Sequence, residues 1–388
     1  MSAQETTRAS IQCPECGRSV PDGFFCGACG AHLAHLEQGR THRQHAWAAD
    51  PDQHVLHPSV VTTLFPHLPH RRRLPFQIAL GVAAALLVVL GLLRLTGPSI
   101  ALAALAMPLL YLLYLYEVEV YADEPVLVIG LTFAVGLVLG AVWSQVTGRL
   151  ETRLLLENTT FGVSLNRVLL GGVALPLAAQ VLMLAGALAL YVRGRALGYD
   201  EALDGFSFGA ASALGFTLAA TIVNLLPVLR LGLVSNVQVE ANLLDIVQRG
   251  LFVPFINASL TGLIAGALWL RRGPIRRLRF HSVLAGLPAV LLGVLALRIF
   301  LGIISVVAID ALTSAAAYGL VALLTLAWAR LVLHQMLLTE AVEVTVGPES
   351  VCSHCHHLVP RMAFCPHCGI ATRATPKTGS GRALRAVR

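Results

Sequence analysis

Long apolar runs fill the middle of the chain, and polar stretches occupy both ends. Between Leu74 and about Leu338 each run is close to the roughly 20 residues that a helix needs to cross a bilayer. The predicted crossings are 75–95, 98–116, 125–147, 167–192, 205–230, 251–270, 280–300 and 303–333. The pattern therefore predicts an all-α polytopic membrane protein with about eight transmembrane helices in a domain spanning residues 74–338.

Composition supports the same class of protein. Of the 388 residues, 56% are hydrophobic and 13% are charged, whereas a soluble domain is about 45–50% apolar and about 25% charged. The mean hydropathy is +0.72. These values exclude a soluble globular enzyme, a disordered regulator and a fibrous protein.

The arginines predict the orientation, because short cytoplasmic loops retain positive charge. If eight helices cross, the clusters at 71–73, 193–195 and 271–279 fall on the same side. An even number of crossings also places both termini in one compartment. We therefore predict a multi-pass protein of the cell (plasma) membrane with both termini in the cytoplasm.

All eight cysteines lie in the polar ends and form two groups of identical spacing, in which two Cys-x-x-Cys pairs are separated by nine residues. The groups are Cys13, Cys16, Cys26 and Cys29, and Cys352, Cys355, Cys365 and Cys368. Each pair presents two thiolates, and two pairs complete a tetrahedral Zn²⁺ site that is closed and therefore structural. The spacing predicts two small cytoplasmic zinc ribbons, at residues 11–33 and 350–371.

The alternatives for these cysteines are disulfides, free thiols or a rubredoxin-like iron site. A cytosolic location opposes disulfides, and the paired spacing opposes free thiols. Each module has only about 20–25 residues, so a metal must supply its folding free energy. The second module has His356 where the first has Gly17. Four of its histidines are possible substitute ligands: His354, His356, His357 and His367.

The other polar features carry weaker signals. Residues 34–73 form a His- and Pro-rich segment; its prolines break helices, so we expect a solvated linker rather than a metal site. Glu117, Glu119, Asp123 and Glu124 form either a solvated loop or a contact with an ion or partner. The tail, 372–388, is basic, which makes anionic lipid a possible partner. Nucleic acid is not an expected partner, because the chain has no recognition motif for it.

Two charged residues interrupt the last apolar segments. Arg298 and Asp310 could neutralise each other in lipid by pairing across the seventh and eighth predicted helices. Gln180, Asn224 and Asn257 are further polar residues in or near the predicted crossings.

The block from Asp204-Gly205 to Gly215-Phe216 resembles the signature region of the PrsW family of intramembrane proteases. The resemblance covers about residues 98–300, with Pro176 and Pro254 as further landmarks. The chemistry of the family rests on a Glu pair with a Lys, a Glu-Asn pair and two His. The resemblance implies which positions of this chain correspond to those groups. By alignment these positions hold Ala178, Ala179, Met183, Ala220, Thr221, Asn257 and, near the second His, Gly293.

Alanine methyls cannot bind a metal, activate water or move a proton. We therefore assign no catalytic residue and leave enzymatic activity open, with a non-enzyme favoured. The leading hypothesis is a zinc-binding, PrsW-like pseudoprotease that acts as a scaffold in the lipid bilayer and binds a protein partner through its zinc ribbons.

Two alternatives to the scaffold stay open. The chain could be an active PrsW-like intramembrane protease that acts on membrane-protein substrates through Glu117, Glu119 and Asn257. It could instead be a small-molecule or ion transporter, with Gln180, Arg298 or Asp310 along the path.

Overall fold

In the computed structural model, helices occupy the middle of the chain and a cysteine-rich module lies near each end. The residues described are 10–14, 17–33, 73–93, 95, 98–99, 101–102, 105–106, 108–110, 126–156, 165–193, 202–231, 244, 247–271, 286–307, 310–341, 346–352, 354–370 and 372. The chain divides into two compact units. One is helical and comprises Leu74–Leu113 and Pro125–Val332, whereas the other carries both cysteine modules.

Seven helices of 18 residues or more lie in the described part of the chain. They are α1 Arg73–Leu92, α2 Val126–Leu156, α3 Leu165–Arg193, α4 Ala202–Leu231, α5 Gln248–Leu270, α6 Leu287–Val307 and α7 Ala311–Ala341. Helices α2 to α7 each contain a stretch that is long and apolar enough to cross a membrane, whereas α1 contributes the shorter apolar stretch Gly81–Leu92. The chain is therefore a multi-pass membrane protein.

Six of the eight predicted crossings correspond to α2–α7. The first, 75–95, overlaps α1, and most of the second, 98–116, lies outside the described residues, so the count of eight stays a prediction. The predicted boundary between the last two was wrong, because α6 continues to Val307 and α7 begins at Ala311. Asp310 sets this boundary: its Oδ1 accepts a hydrogen bond from the Thr313 backbone N–H at 2.7 Å, as a helix N-cap does.

Helix α4 lies at the centre of the helical unit between α2 and α5, and its membrane-crossing stretch is mostly buried. Small residues allow these helices to approach closely. A Cβ added at Gly140 of α2 would lie 2.2 Å from the Phe216 carbonyl oxygen of α4. A Cβ added at Gly209 of α4 would lie 2.8 Å from the Thr261 carbonyl oxygen of α5. The glycine-rich sequence therefore serves backbone-to-backbone packing.

Two of the crossing helices contain a π-helical segment near their N-terminal ends, Val168–Ala174 in α3 and Gln248–Phe252 in α5. Wider turns of this kind occur frequently at functional sites. Residues of the α5 segment, including Gln248 and Arg249, line the cavity described below.

Each cysteine module is built on a two-stranded antiparallel hairpin. Strand β1 (Ser10–Gln12) pairs with β2 (Ser19–Pro21), and β3 (Glu349–Val351) pairs with β4 (Leu358–Pro360). The registers correspond: Ile11 faces Val20 in the first hairpin, and Ser350 faces Val359 in the second. The sequence repeat is therefore a structural repeat.

Candidate metal centres and a cavity among the helices

The C-terminal module brings its four cysteine sulfurs together. Cys352, Cys355, Cys365 and Cys368 have Sγ atoms within 4.8 Å of one another. The Cys352–Cys368 Sγ distance is 3.9 Å and the Cys355–Cys365 distance is 3.8 Å. Four thiolates in a tetrahedron about 2.3 Å from a central Zn²⁺ would lie about 3.8 Å apart. The four sulfurs are unbridged, and their spacing fits a metal ion rather than disulfides, whose S–S distance is about 2 Å.

The N-terminal module shows the same arrangement over its described ligands. The sulfurs of Cys13, Cys26 and Cys29 form one cluster, with 3.8 Å between the Cys13 and Cys29 Sγ atoms. Cys13 and Cys26 are fully buried. Cys16, the fourth predicted ligand, lies outside the described residues. Both clusters could therefore hold a metal ion.

Each of the four Cys-x-x-Cys turns ends at a residue whose backbone adopts the left-handed conformation. Gly17, Gly30 and Gly369 have φ values of 69°, 75° and 71°. His356, at the fourth place, has φ of 58° although it carries a side chain. In each turn the backbone N–H of this residue donates to the carbonyl of the cysteine four positions earlier, at 2.7–2.9 Å. The substitution noted in the sequence therefore leaves the local geometry unchanged.

Close packing of the sulfurs opposes the ionisation of several thiols at once. A hydrogen bond with Cys13, together with burial, raises the pKa of Cys26 to about 12. A hydrogen bond with Cys352, together with burial, raises the pKa of Cys365 to about 12. Hydrogen bonds from Cys365 and Cys368 lower the pKa of Cys352. A bound divalent ion would deprotonate the thiols that ligate it.

The two modules pair with each other through reciprocal backbone hydrogen bonds. The Phe25 N–H donates to the Pro366 carbonyl, and the Phe364 N–H donates to the Gly27 carbonyl, both at 2.9 Å. By the sequence repeat, Phe25 corresponds to Phe364 and Gly27 corresponds to Pro366. The contact is thus the same on both sides, as in an isologous pair related by a twofold axis.

Side chains complete this ribbon pair. Cβ atoms added at Gly369 and Gly30 would lie 2.6 Å from the Phe25 ring and 2.9 Å from the Phe364 ring, respectively. Met362 of the second module belongs to the buried cluster of the first, together with Val20 and its neighbours. The two modules therefore share one hydrophobic interior.

The histidines fall in different environments. The rings of His357 and His367 stack with 3.6 Å between their centroids and lie beside Cys355. The His32 ring packs against Phe25. The linker 34–72, the acidic residues at 117–124 and the tail beyond 372 lie outside the described residues, so predictions about them stay predictions.

The helical unit contains a partly open cavity of about 580 Å³. It lies between the C-terminal halves of α2, α4 and α6, the N-terminal halves of α5 and α7, and the middle of α3. Five of the seven positions assigned through the PrsW resemblance line it: Ala179, Met183, Ala220, Thr221 and Asn257. Ala178 and Gly293 are not among its lining residues, and Gly293 approaches Trp328 instead. The Asp204–Phe216 block lies wholly within α4.

The lining of this cavity is about half polar and contains few titratable groups. Arg249, Arg298 and Tyr318 contribute to it, together with Asn224 and Gln248. The described residues that form its wall include no Asp, Glu, His or Cys. General acid–base catalysis near neutral pH usually depends on such side chains.

The predicted pairing of Arg298 with Asp310 was wrong. Arg298 is only 7% exposed. Its Nε donates a hydrogen bond to Gln180 Oε1 at 2.7 Å, and its Nη1 donates to Asn257 Oδ1. Asp310 is exposed, and its hydrogen bonds from Thr313 lower the pKa of its carboxyl group. The acid caps α7, and the oxygens that accept hydrogen bonds from Arg298 belong to neutral amides. Gln180 and Asn257 were noted in the sequence as isolated polar residues, and only helix packing brings them together.

Comparison with protein-family models, with curated proteins and with solved structures finds no match for the chain.

Proposed function

We propose that this chain is a zinc-binding, non-catalytic membrane scaffold whose ribbon pair binds a protein partner at the cytosolic face of the plasma membrane. The reciprocal pairing of the two ribbons is the observation that carries the proposal. It joins two modules of about 20–25 residues into a single folded body, which offers one composite surface. Zn²⁺ is the proposed metal because a closed four-thiolate site is typical of structural zinc.

The cavity supports a PrsW-like scaffold that lacks the catalytic groups of that family. Five of the seven positions matched to those groups line one cavity, and they carry alanine, methionine, threonine and asparagine. An intramembrane protease would need other groups there.

Gly23→Val is expected to separate the ribbons without removing a zinc ligand. A Cβ at Gly23 would lie 2.7 Å from the Pro366 carbonyl oxygen, and overpacking of this kind costs about 1–3 kcal/mol. Hydrogen exchange at Phe25 and Phe364 should accelerate about tenfold, measured by mass spectrometry on the full chain. Ser19→Val, at an exposed strand position, is the matched control and should leave exchange unchanged. Undiminished protection in Gly23→Val would contradict the pairing.

The same variants test partner binding. Proteins cross-linked to the full chain in intact membranes should be recovered with wild type and with Ser19→Val. They should be lost with Gly23→Val, and also when Cys13→Ser and Cys352→Ser are combined. An unchanged set of partners in the combined cysteine variant would refute binding through the ribbons.

A further inference from the structure

The cavity among the six crossing helices contains an arginine that meets no carboxylate among the described residues. Arg298 projects from α6, is more than nine-tenths buried and lines the cavity. Its acceptors are Gln180 Oε1 and Asn257 Oδ1, with a weak contact from NH2 to Met183 Sδ at 4.0 Å. All three partners are neutral. A charged side chain at such a position is costly unless a partner compensates it.

The surrounding network fixes the two amide oxygens toward Arg298. Gln180 donates through Nε2 to Thr261 Oγ1 at 3.0 Å, and Asn257 donates through Nδ2 to Thr217 Oγ1 at 2.8 Å. Thr217 in turn donates to the Ala213 carbonyl at 2.8 Å. Each amide nitrogen therefore donates to a threonine hydroxyl, and the amide oxygen faces Arg298. These contacts hold the guanidinium in one orientation.

This arrangement uses only part of the guanidinium. Arginine has five N–H donors in a planar fork, and those of Arg298 meet two oxygens and one distant sulfur among the described residues. Arg249, from the π-helical segment of α5, lines the same cavity. The described wall therefore contains two arginines and no carboxylate.

We propose that this cavity binds an oxyanion, a carboxylate or a phosphate group, through the guanidinium of Arg298. Such groups match the fork of arginine and provide the missing negative charge. The volume of about 580 Å³ is that of a small-molecule site. Trp143, Phe216 and Leu301 supply apolar wall for the remainder of a ligand. The oxyanion comes from an amphiphile of the membrane or from a soluble anion, and both share this chemistry.

Asn257→Asp is the most discriminating variant. It keeps the shape of the side chain and an oxygen beside Arg298 but introduces a carboxylate that neutralises the guanidinium internally. If Arg298 exists to bind an oxyanion, this variant loses ligand while its thermal stability stays at or above that of wild type. Arg298→Gln should lose ligand as well, and Arg298→Lys should retain part of the affinity because it keeps charge without the fork.

Binding is measured on the full-length protein in a neutral detergent. The probes are 11-bromoundecanoate, whose bromine quenches the fluorescence of Trp143, and inorganic phosphate as a competitor. We expect saturable quenching in wild type and in the control Arg271→Gln, where the arginine is exposed and outside the cavity wall. Trp143→Phe should remove most of the signal. Affinity should fall at least tenfold in Arg298→Gln and Asn257→Asp.

The competition identifies the source of the oxyanion. Displacement by millimolar phosphate indicates a soluble anion, and resistance to it indicates a membrane amphiphile; either result supports the site. Equal quenching by a brominated neutral alcohol, or unchanged affinity in a folded Asn257→Asp variant, overturns the proposal. The absence of saturable binding of either anion to wild type also overturns it.

Discussion

Replacing all eight cysteines with serine is expected to lower the zinc content from two ions per chain to none. Both ribbons should unfold, because a structural zinc ion contributes about 10–16 kcal/mol to modules of this kind. The crossing helices should persist, since their packing involves no cysteine. Elemental analysis of detergent-purified protein, together with limited proteolysis and circular dichroism, measures the three outcomes. Elemental analysis also separates zinc from rubredoxin-like iron.

A variant with serine at only the four C-terminal cysteines tests whether the ribbons stabilise each other. It should keep one zinc ion, bound about tenfold more weakly than in wild type, because the unfolded module no longer supplies Phe364 and Met362 to the first ribbon. The affinity is measured by competition with a chelator. Full retention of affinity would argue against a shared interior. A metal ion that persists in the eight-serine chain would reveal another metal site and contradict the non-catalytic scaffold.

Gly140→Ala is expected to disrupt the helical unit. The new Cβ would lie 2.2 Å from the Phe216 carbonyl oxygen, and a backbone atom cannot move aside as a flexible side chain can. Separating α2 from α4 should cost about 3 kcal/mol or more, the upper end of overpacking effects. A lower apparent Tm and a smaller monodisperse fraction in size-exclusion chromatography would report the change.

Gly130→Ala is the matched control on the same helix. No atom lies within 4 Å of a Cβ built at Gly130, and the residue is exposed. Because alanine favours a helix over glycine by about 0.5–1 kcal/mol, this variant should be neutral or slightly stabilised. Equal loss of stability in both variants would mean that helix propensity rather than close approach explains the glycines.

The sequence predicts those features whose cause is local. Hydropathy identifies the six crossings, because burial in lipid requires a continuous apolar run. Cysteine spacing identifies the clusters, because each knuckle is built from consecutive residues. The boundary between α6 and α7 was misplaced since the apolar run continues to Val307, although Asp310 followed by Thr313 is a recognisable capping signal.

Features that depend on packing were beyond a single sequence. Charge complementarity favoured Asp310 as the partner of Arg298, but the amides that contact Arg298 come from α3 and α5, at positions far apart in the chain. The pairing of the ribbons is equally nonlocal. Recurrence of Phe25 as Phe364 was visible in the sequence, but a repeated residue does not reveal whether its two copies meet.

The reciprocal contact between the ribbons also has a consequence for synthesis. More than 300 residues separate the first ribbon from the second, and at about 5–20 residues per second their translation takes roughly 15–60 s. Throughout that interval the surface formed by Phe25 and Gly30 lacks the cover that the second ribbon provides. Because the pairing is isologous, the first ribbons of two neighbouring nascent chains present suitable surfaces to each other. First ribbons that pair in this way must separate before each one can pair with the second ribbon of its own chain.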